Sequence, residues 1–407
     1  MTGGANDAVD AVARAAYGRL LAYLSARSRD VTAAEDALAD ALRAALETWP
    51  TRGLPDRPEA WLFTVARRNL QAVHRRGSVR RAAEPVLELL AEERQDHPVP
   101  DFPDERLKLL FVCAHPAIDP VARAPLMLQT VLGLDAARIA SAFLVAPATM
   151  GQRLVRAKTR IREAGIAFAV PKPQELPERL DAVLDAIYAA YGSGWEDAAG
   201  TDARRKGLTG EAIWLAQLVT VLLPAEPEVR GLLALMLYCE ARGPARRDRN
   251  GAFVPLSEQD AGLWSRDLII EAERDLAAAG ALRRPGRFQL EAAIQSVHSQ
   301  RPITGQTNWE AIALLYDGLV ALAPTIGALV GRAAARGEAH GPAAGLAALA
   351  ELPAETARSY QPYWAVRAHL LARAGDPQAS AAYATAAGLA EDPAVKLFLL
   401  ARVDARR

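Results

Sequence analysis

Between residues 148 and 162 the apolar and polar positions separate onto two stripes at helical spacing. Met150, Leu154, Ala157 and Ile161 form one stripe. Thr149, Arg153, Arg156 and Arg160 fall within roughly 60° of one another around the axis, about 100° from the first. With the preceding residues, 135–163 (DAARIASAFLVAPATMGQRLVRAKTRIRE) read as a helix, a short turn and a second helix. Such an element can dock one stripe on a small core and present a hydroxyl and guanidiniums outward, as a helix lying in a DNA major groove requires. Between Ala136 and Arg162 there are six Arg and Lys residues and no Asp or Glu.

The same periodicity predicts helices elsewhere. Val12, Tyr17, Leu20, Leu21 and Leu24 line one face of an N-terminal helix. The next, TAAEDALADALRAALETW, starts at Thr32 with Glu35 as its capping-box partner. It is expected to bury Leu38, Leu42, Leu46 and Trp49 and to turn Asp36, Asp40 and Glu47 to a polar face. A third helix, PEAWLFTVARRNLQAVHRR, sets Trp61, Val65, Asn69 and Val73 on one side and Arg67, Arg68, Gln71, His74 and Arg75 on the other. Trp61 and Phe63 are read as core residues rather than base-stacking platforms. Near the C-terminus, Trp364, Ala368 and Leu371 lie on one predicted helix, Gly375 at a turn, and Ala379, Tyr383 and Ala386 on a second. Helix pairs of this kind stack into arrays. Residues 178–330 read as irregular helical pairs without a clean period.

Composition supports an all-α chain: alanine and leucine dominate, and β-branched and aromatic residues are sparse. At 407 residues the chain exceeds one core. Net charge is zero, so only local charge can argue for nucleic acid. Cys113 and Cys239 are too few for a disulfide framework and fit a reducing compartment. No apolar run approaches a membrane span and no signal pattern opens the chain, so the expected location is the cytoplasm.

Charge divides the chain. Residues 60–83 carry Arg67, Arg68, Arg75, Arg76, Arg80 and Arg81 with no acid, whereas 84–105 hold eight acids against Arg94 alone. A second break, Pro171, Pro173 and Pro177, opens the Ala/Leu-rich half. The expected organisation is a domain over 8–83, an acidic linker over 84–103 with one short helix at LELLAEE, a helix-turn-helix domain over 104–166, and a helical extension over 175–407. The basic segments on either side of the linker are expected to be separate modules.

Other chemistry is sparse. Cys113 and His115 in FVCAHPAI lack a second ligand pair and are read as structural. The run Arg242 to Arg249, followed by a turn at Asn250-Gly251, reads as a solvated loop. The sequence contains no P-loop, dinucleotide glycine motif, nucleophile elbow or zinc-protease motif. No enzyme activity, cofactor or metal is expected.

The order of these modules resembles the sigma-70 family of bacterial transcription initiation factors, in its compact extracytoplasmic-function group. AEDALADALRAALETWP resembles the segment that grips the clamp of RNA polymerase. PEAWLFTVARRNLQAVHRR resembles the one that melts and reads the −10 element, and GLDAARIASAFLVAPATMGQRLVRAKTRI the helix-turn-helix that reads the −35 element. LLPAEPEVRGLLALMLYCEARGPAR, LSEQDAGLW, GRFQLEAAIQSVHS and WEAIALLYDGL are similar to the subgroup with a long tetratricopeptide-like extension. The chain departs from the family pattern where Asn is usual (Arg68), Asp (Ala72), Glu (Arg138), Gln (Ala39) and Asn-Glu-Gly-Tyr (Gly192 to Trp195).

The resemblance implies core RNA polymerase and promoter DNA as partners, with a protein or peptide ligand for the extension. Glu35, Asp36 and Asp40 would meet polymerase. Thr149, Gln152, Arg153, Arg156, Lys158 and Arg160, with Arg138, would meet one DNA element, and Arg67, Arg68, Arg75 and Arg76 the other. Non-initiating alternatives are a DNA-binding regulator and an interaction scaffold.

Overall fold

The computed structural model describes residues 16–78, 104–143, 145–195, 203–352 and 359–404. Among them every regular element is a helix, and the only β pairing is an isolated bridge between Arg247 and Phe253. No described helix is long and apolar enough to cross a membrane. The chain divides into two compact units, Met1–Ala190 and Tyr191–Arg407.

In the first unit, α1 (16–28), α2 (Val31–Arg52) and α3 (Pro58–Ser78) enclose a core of Leu20, Leu21, Leu24, Leu38, Leu62 and Phe63. Two edge-to-face aromatic pairs tie the helices together: Tyr23 with Phe63 at 5.2 Å, and Trp49 with Trp61 at 5.6 Å. Asn69 donates to the Ala37 carbonyl at 3.4 Å across α2 and α3. The cap of α2 differs from the expectation: Asp30, not Thr32, accepts from the Ala33 amide at 3.1 Å. Asp30 follows Arg29, whose positive φ of 58° turns the chain sharply out of α1. Leu46, expected to be buried, is 44% exposed. Val12 and the short helix expected at LELLAEE lie outside the described residues.

The same unit continues through α4 (Arg106–Cys113), α5 (Pro120–Leu132), α6 (Ala136–Ala142) and α7 (Pro147–Glu163). Helices α4 and α5 bury Leu109, Leu110, Phe111, Leu126, Met127 and Leu128 almost completely. A Cβ added to Gly18 would sit 1.9 Å from the Val131 carbonyl oxygen, and Gly133, at φ 69°, lies under the Tyr17 ring. Glycine is therefore needed where α1 abuts the end of α5. The segments expected as separate modules at 8–83 and 104–166 thus pack directly against each other. Helix α8 (Leu176–Trp195) follows, and Arg179 donates to the Phe111 carbonyl at 2.7 Å.

In the second unit α9 (Ala203–Leu222) leads to α10 (Pro227–Ala241), in which Gly231 to Tyr238 are all buried. Helices α11 (Arg266–Ala281) and α12 (Arg287–Ser299) pack on it. Glu228 accepts the first amides of α12, from Phe288 at 2.9 Å and Gln289 at 3.1 Å, and Arg230 pairs with the buried Asp275 at 2.8 Å. After the single turn α13 (Arg301–Thr304), consecutive helices pack in sequence: α14 (Trp309–Leu322), α15 (Ile326–His340), α16 (Pro342–Ala350), α17 (Gln361–Arg373), α18 (Gln378–Leu389) and α19 (Pro393–Asp404). In the last pairs Ala368, Leu371, Ala379, Tyr383 and Ala386 form the core with Trp364 against it, and Gly375 turns the chain at φ 72°.

Candidate nucleic-acid interface

The strongest candidate surface lies on α6 and α7. Asp135 caps α6 by accepting the Arg138 amide at 2.8 Å, and the Val145 amide bonds back to Ala140 at 3.0 Å to close the turn. Helix α7 then starts with Pro147 in its first turn, where a missing amide hydrogen costs little. Its four buried residues are Met150, Leu154, Ala157 and Ile161, the apolar stripe expected from spacing. These side chains anchor α7 against α5 and α6. On the outward stripe Thr149, Gln152, Arg156 and Arg160 are exposed and Arg153 is partly so. No acid lies on this helix before Glu163. The arrangement can offer guanidiniums to phosphates or guanine edges, and an amide to adenine. Arg138 is half-buried on α6.

Lys158 stands elsewhere. Its ammonium meets the Glu35 carboxylate of α2 at 2.5 Å, and the two side chains are only 9% and 15% exposed. Arg162, one turn further on, approaches Asp30 at 3.6 Å. Burial pushes the Glu35 carboxyl above its ordinary value, against the attraction and hydrogen bond of Lys158. Neither Lys158 as a DNA contact nor Glu35 as a polymerase contact is free in this arrangement. The same pairing removes the expected capping box, because Glu35 reaches across to α7 rather than back to Thr32. Nothing local could have signalled this, since the partners are 123 residues apart.

The other expected residues are scattered over the α2–α3 surface. Asp36 and Asp40 are exposed, Asp40 pairing with Arg43 of its own helix at 2.8 Å. Arg67 is exposed with its guanidinium 5.8 Å from the Phe63 ring centre, while Phe63 is 3% exposed and Trp61 half-buried. Arg68 is partly exposed. Arg75 and Arg76 belong to the last turns of α3, and their side chains lie outside the described residues.

The thiol and histidine of FVCAHPAI are engaged structurally. Cys113 is fully buried against Thr130, sulfur to hydroxyl 3.4 Å, and burial raises its pKa to about 12. His115 accepts the Ala117 amide at 3.1 Å, and burial with Arg179 and Arg123 nearby keeps its pKa low. Among the described residues no three His, Cys, Asp or Glu side chains group as metal ligands.

The Arg242–Arg249 run departs from the solvated loop expected of it. Arg242 is 8% exposed and donates to Gln295 at 2.6 Å, and Arg247 turns inward to Asp392. The turn at Asn250-Gly251 is present, with Gly251 at φ 80° and Asp248 accepting the Asn250 and Ala252 amides at 2.8 Å.

Residues 179–280 match the model of a family of unknown function, DUF6596. That stretch takes in α9, α10, the irregular segment after α10 and all but the last residue of α11. Over 397 residues the chain is 38% identical to the uncharacterized protein R00370 of Rhizobium meliloti (strain 1021), covering 96% of this chain and 92% of that protein. The chain belongs to the same family as that protein. No solved structure matches it.

Proposed function

We propose that this member of the family is a sigma-type transcription initiation factor of the extracytoplasmic-function kind, acting in the cytoplasm and catalysing no bond chemistry. The observation that carries the reading is the division of α7. Four of its residues are sealed into a small core, while Thr149, Gln152, Arg153, Arg156 and Arg160 stand outward with no acid among them. Exposed guanidiniums on such a helix suit a major groove, where a good bidentate base contact contributes about 1–3 kcal/mol of discrimination.

In this reading α7, with α6 crossing behind it, reads the upstream promoter element. The exposed Asp36 and Asp40 of α2 meet core RNA polymerase, and Arg67 and Arg68 of α3 hold the downstream element as it opens. Affinity that does not depend on sequence comes from phosphate neutralisation, so Arg138 and Arg68, which stand where the family usually has Glu and Asn, leave it intact. They change the base preference instead. The helix pairs of the second unit form a tetratricopeptide-like array that takes a protein or peptide and regulates the first unit.

Run-off transcription from genomic fragments with core RNA polymerase tests the reading. Specific transcripts are expected with the protein and are lost in the D36R/D40R variant. Absence of transcripts together with absence of binding to core would sink it. A mobility shift by the protein without transcripts would identify a DNA-binding regulator instead.

A further inference from the structure

The second unit gathers positive charge at a point where its own side chains supply no counter-charge. Arg242 directly follows α10 and is only 8% exposed. Its Nη2 donates to the Gln295 amide oxygen of α12 at 2.6 Å and to the Cys239 sulfur at 3.7 Å. Both acceptors are neutral, since one is an amide and burial holds the thiol protonated. The Nε and Nη1 of Arg242 meet no acceptor among the described residues, and both remain touched by solvent. No carboxylate of the described residues stands within ion-pair distance of this guanidinium.

The groups around Arg242 add to its charge. His298 lies one turn along α12 from Gln295, with its ring 5.4 Å from that of Trp309. Arg301 opens α13 three residues later, stacks 4.9 Å from the centre of the Trp264 ring, and donates to carbonyls alone. Burial lowers the pKa of both His298 and Arg301, and the nearby charge of Arg242 lowers both further. The bordering acids are engaged elsewhere. Glu291 pairs with Arg287 at 2.9 Å, Asp392 pairs with Arg247, and Glu240 is drawn to Arg246.

A guanidinium withdrawn from water without a counter-charge is costly to hold, and a second one beside it raises the cost. An anion from outside offsets both terms at once. The cluster is open to one: Glu291, Gln295 and His298 recur along one half-buried face of α12, whereas Ala292 and Ile294 are sealed behind it. Two guanidiniums without counter-charge match a phosphate group, which carries about −1.5 to −2 at pH 7, whereas a carboxylate balances only one. Hydrogen bonds from a guanidinium to phosphate are charge-assisted and correspondingly strong. A neutral imidazole still offers one N–H donor.

We propose that Arg242, Arg301 and His298 form a binding site for a phosphate group, inorganic phosphate or a phosphomonoester, where α10, α12 and α13 meet. Arg242 binds it with the donors that Gln295 leaves open, and Gln295 fixes the guanidinium from the other side. Arg301 adds its charge and the donors its carbonyls do not take, and His298 adds an N–H. The site stands whether or not the protein initiates transcription.

The test is calorimetric titration of the full chain with inorganic phosphate in a phosphate-free buffer near pH 7.5, with spectra of 13C-labelled histidine recorded alongside. One equivalent is expected to bind with a Kd on the order of 1 mM. The His298 signal, identified by its loss in H298Q, is expected to move and to titrate above the value of about 3 that it has without the anion. R242M should weaken binding at least about tenfold, and R242K by less, because lysine keeps the charge but not the planar donors. Acetate should bind at least about tenfold more weakly than phosphate. Phenyl phosphate separates the two sources: markedly tighter binding identifies a monoester, and equal binding the free anion.

No heat and no movement of His298 up to phosphate on the order of 10 mM overturns the site. Binding that is unchanged in R242M, with His298 unmoved, overturns it as well. Acetate binding as tightly as phosphate overturns the assignment to phosphate. If R242M fails to fold by circular dichroism, R242K and the wild-type His298 signal decide.

Discussion

Two arginine-rich stretches of this chain are used in opposite ways. On α7, Arg153, Arg156 and Arg160 extend from a helix whose opposite stripe is sealed in a core, and they face solvent. In the Arg242–Arg249 segment two guanidiniums turn inward, Arg242 to Gln295 and Arg247 to Asp392, and the loop that follows is held by Arg301. Arg301 donates to the Leu256, Ser257 and Gln259 carbonyls and stacks 4.9 Å from the centre of the Trp264 ring. The difference lies in the backbone. A regular helix satisfies its own carbonyls and leaves arginines free for an outside acceptor. An irregular segment such as 243–264 leaves carbonyls unpaired, and arginine, with five donors, is the side chain best able to collect them.

The comparison predicts separable losses. The largest is in DNA binding: R153E/R156E should lower affinity for duplex DNA by at least about a hundredfold at moderate salt and flatten the salt dependence. Its thermal unfolding should match the wild type, because both side chains are outside the core. Titration at several salt concentrations alongside melting curves checks both halves, and a matching loss of stability would break the contrast.

L154A on the buried stripe of the same helix should do the reverse, destabilising the first unit by about 2–5 kcal/mol. Denaturant unfolding measures it, with DNA binding retained at low temperature. In the second unit R301M should cost about 1–3 kcal/mol, since it strands three carbonyls, and should leave DNA affinity unchanged.

The smallest effect sharpens the picture of the inward cluster. Burial, with Arg242 and Arg301 nearby, lowers the pKa of His298 to about 3. The folded chain therefore keeps His298 neutral, while the unfolded chain protonates it near 6.5. Stability from this group is fully present above pH 6.5 and is lost as pH falls toward 3. H298L should show a shallower fall of melting temperature between pH 7 and pH 5 than the wild type.

The readable parts of the sequence were those where one helix decides its own burial. The stripe Met150, Leu154, Ala157, Ile161 and the pair around Gly375 follow from period and turn chemistry, and both appear as expected. The start of α2 was misread because Thr32 and Glu35 match a local capping pattern, whereas Asp30 takes the cap. Leu46 was misread because its place on the apolar stripe of α2 does not ensure that a neighbour covers it. The candidate site divides along the same line: the exposed half of the α7 surface could be read from spacing, but the removal of Lys158 from it could not.

By itself the sequence determined the helical class, the buried stripe of α7 and the acid-free stretch of basic residues, because each depends on neighbours within a few turns. On α3 the buried face runs instead through Leu62, Phe63, Ala66 and Leu70, with Trp61 and Asn69 half-buried beside it. Only the tertiary structure decided which charges remain available. Lys158 and Glu35, or Arg247 and Asp392, are separated by more than a hundred residues of chain. Whether such charges meet depends on how helix layers stack, which local periodicity does not encode.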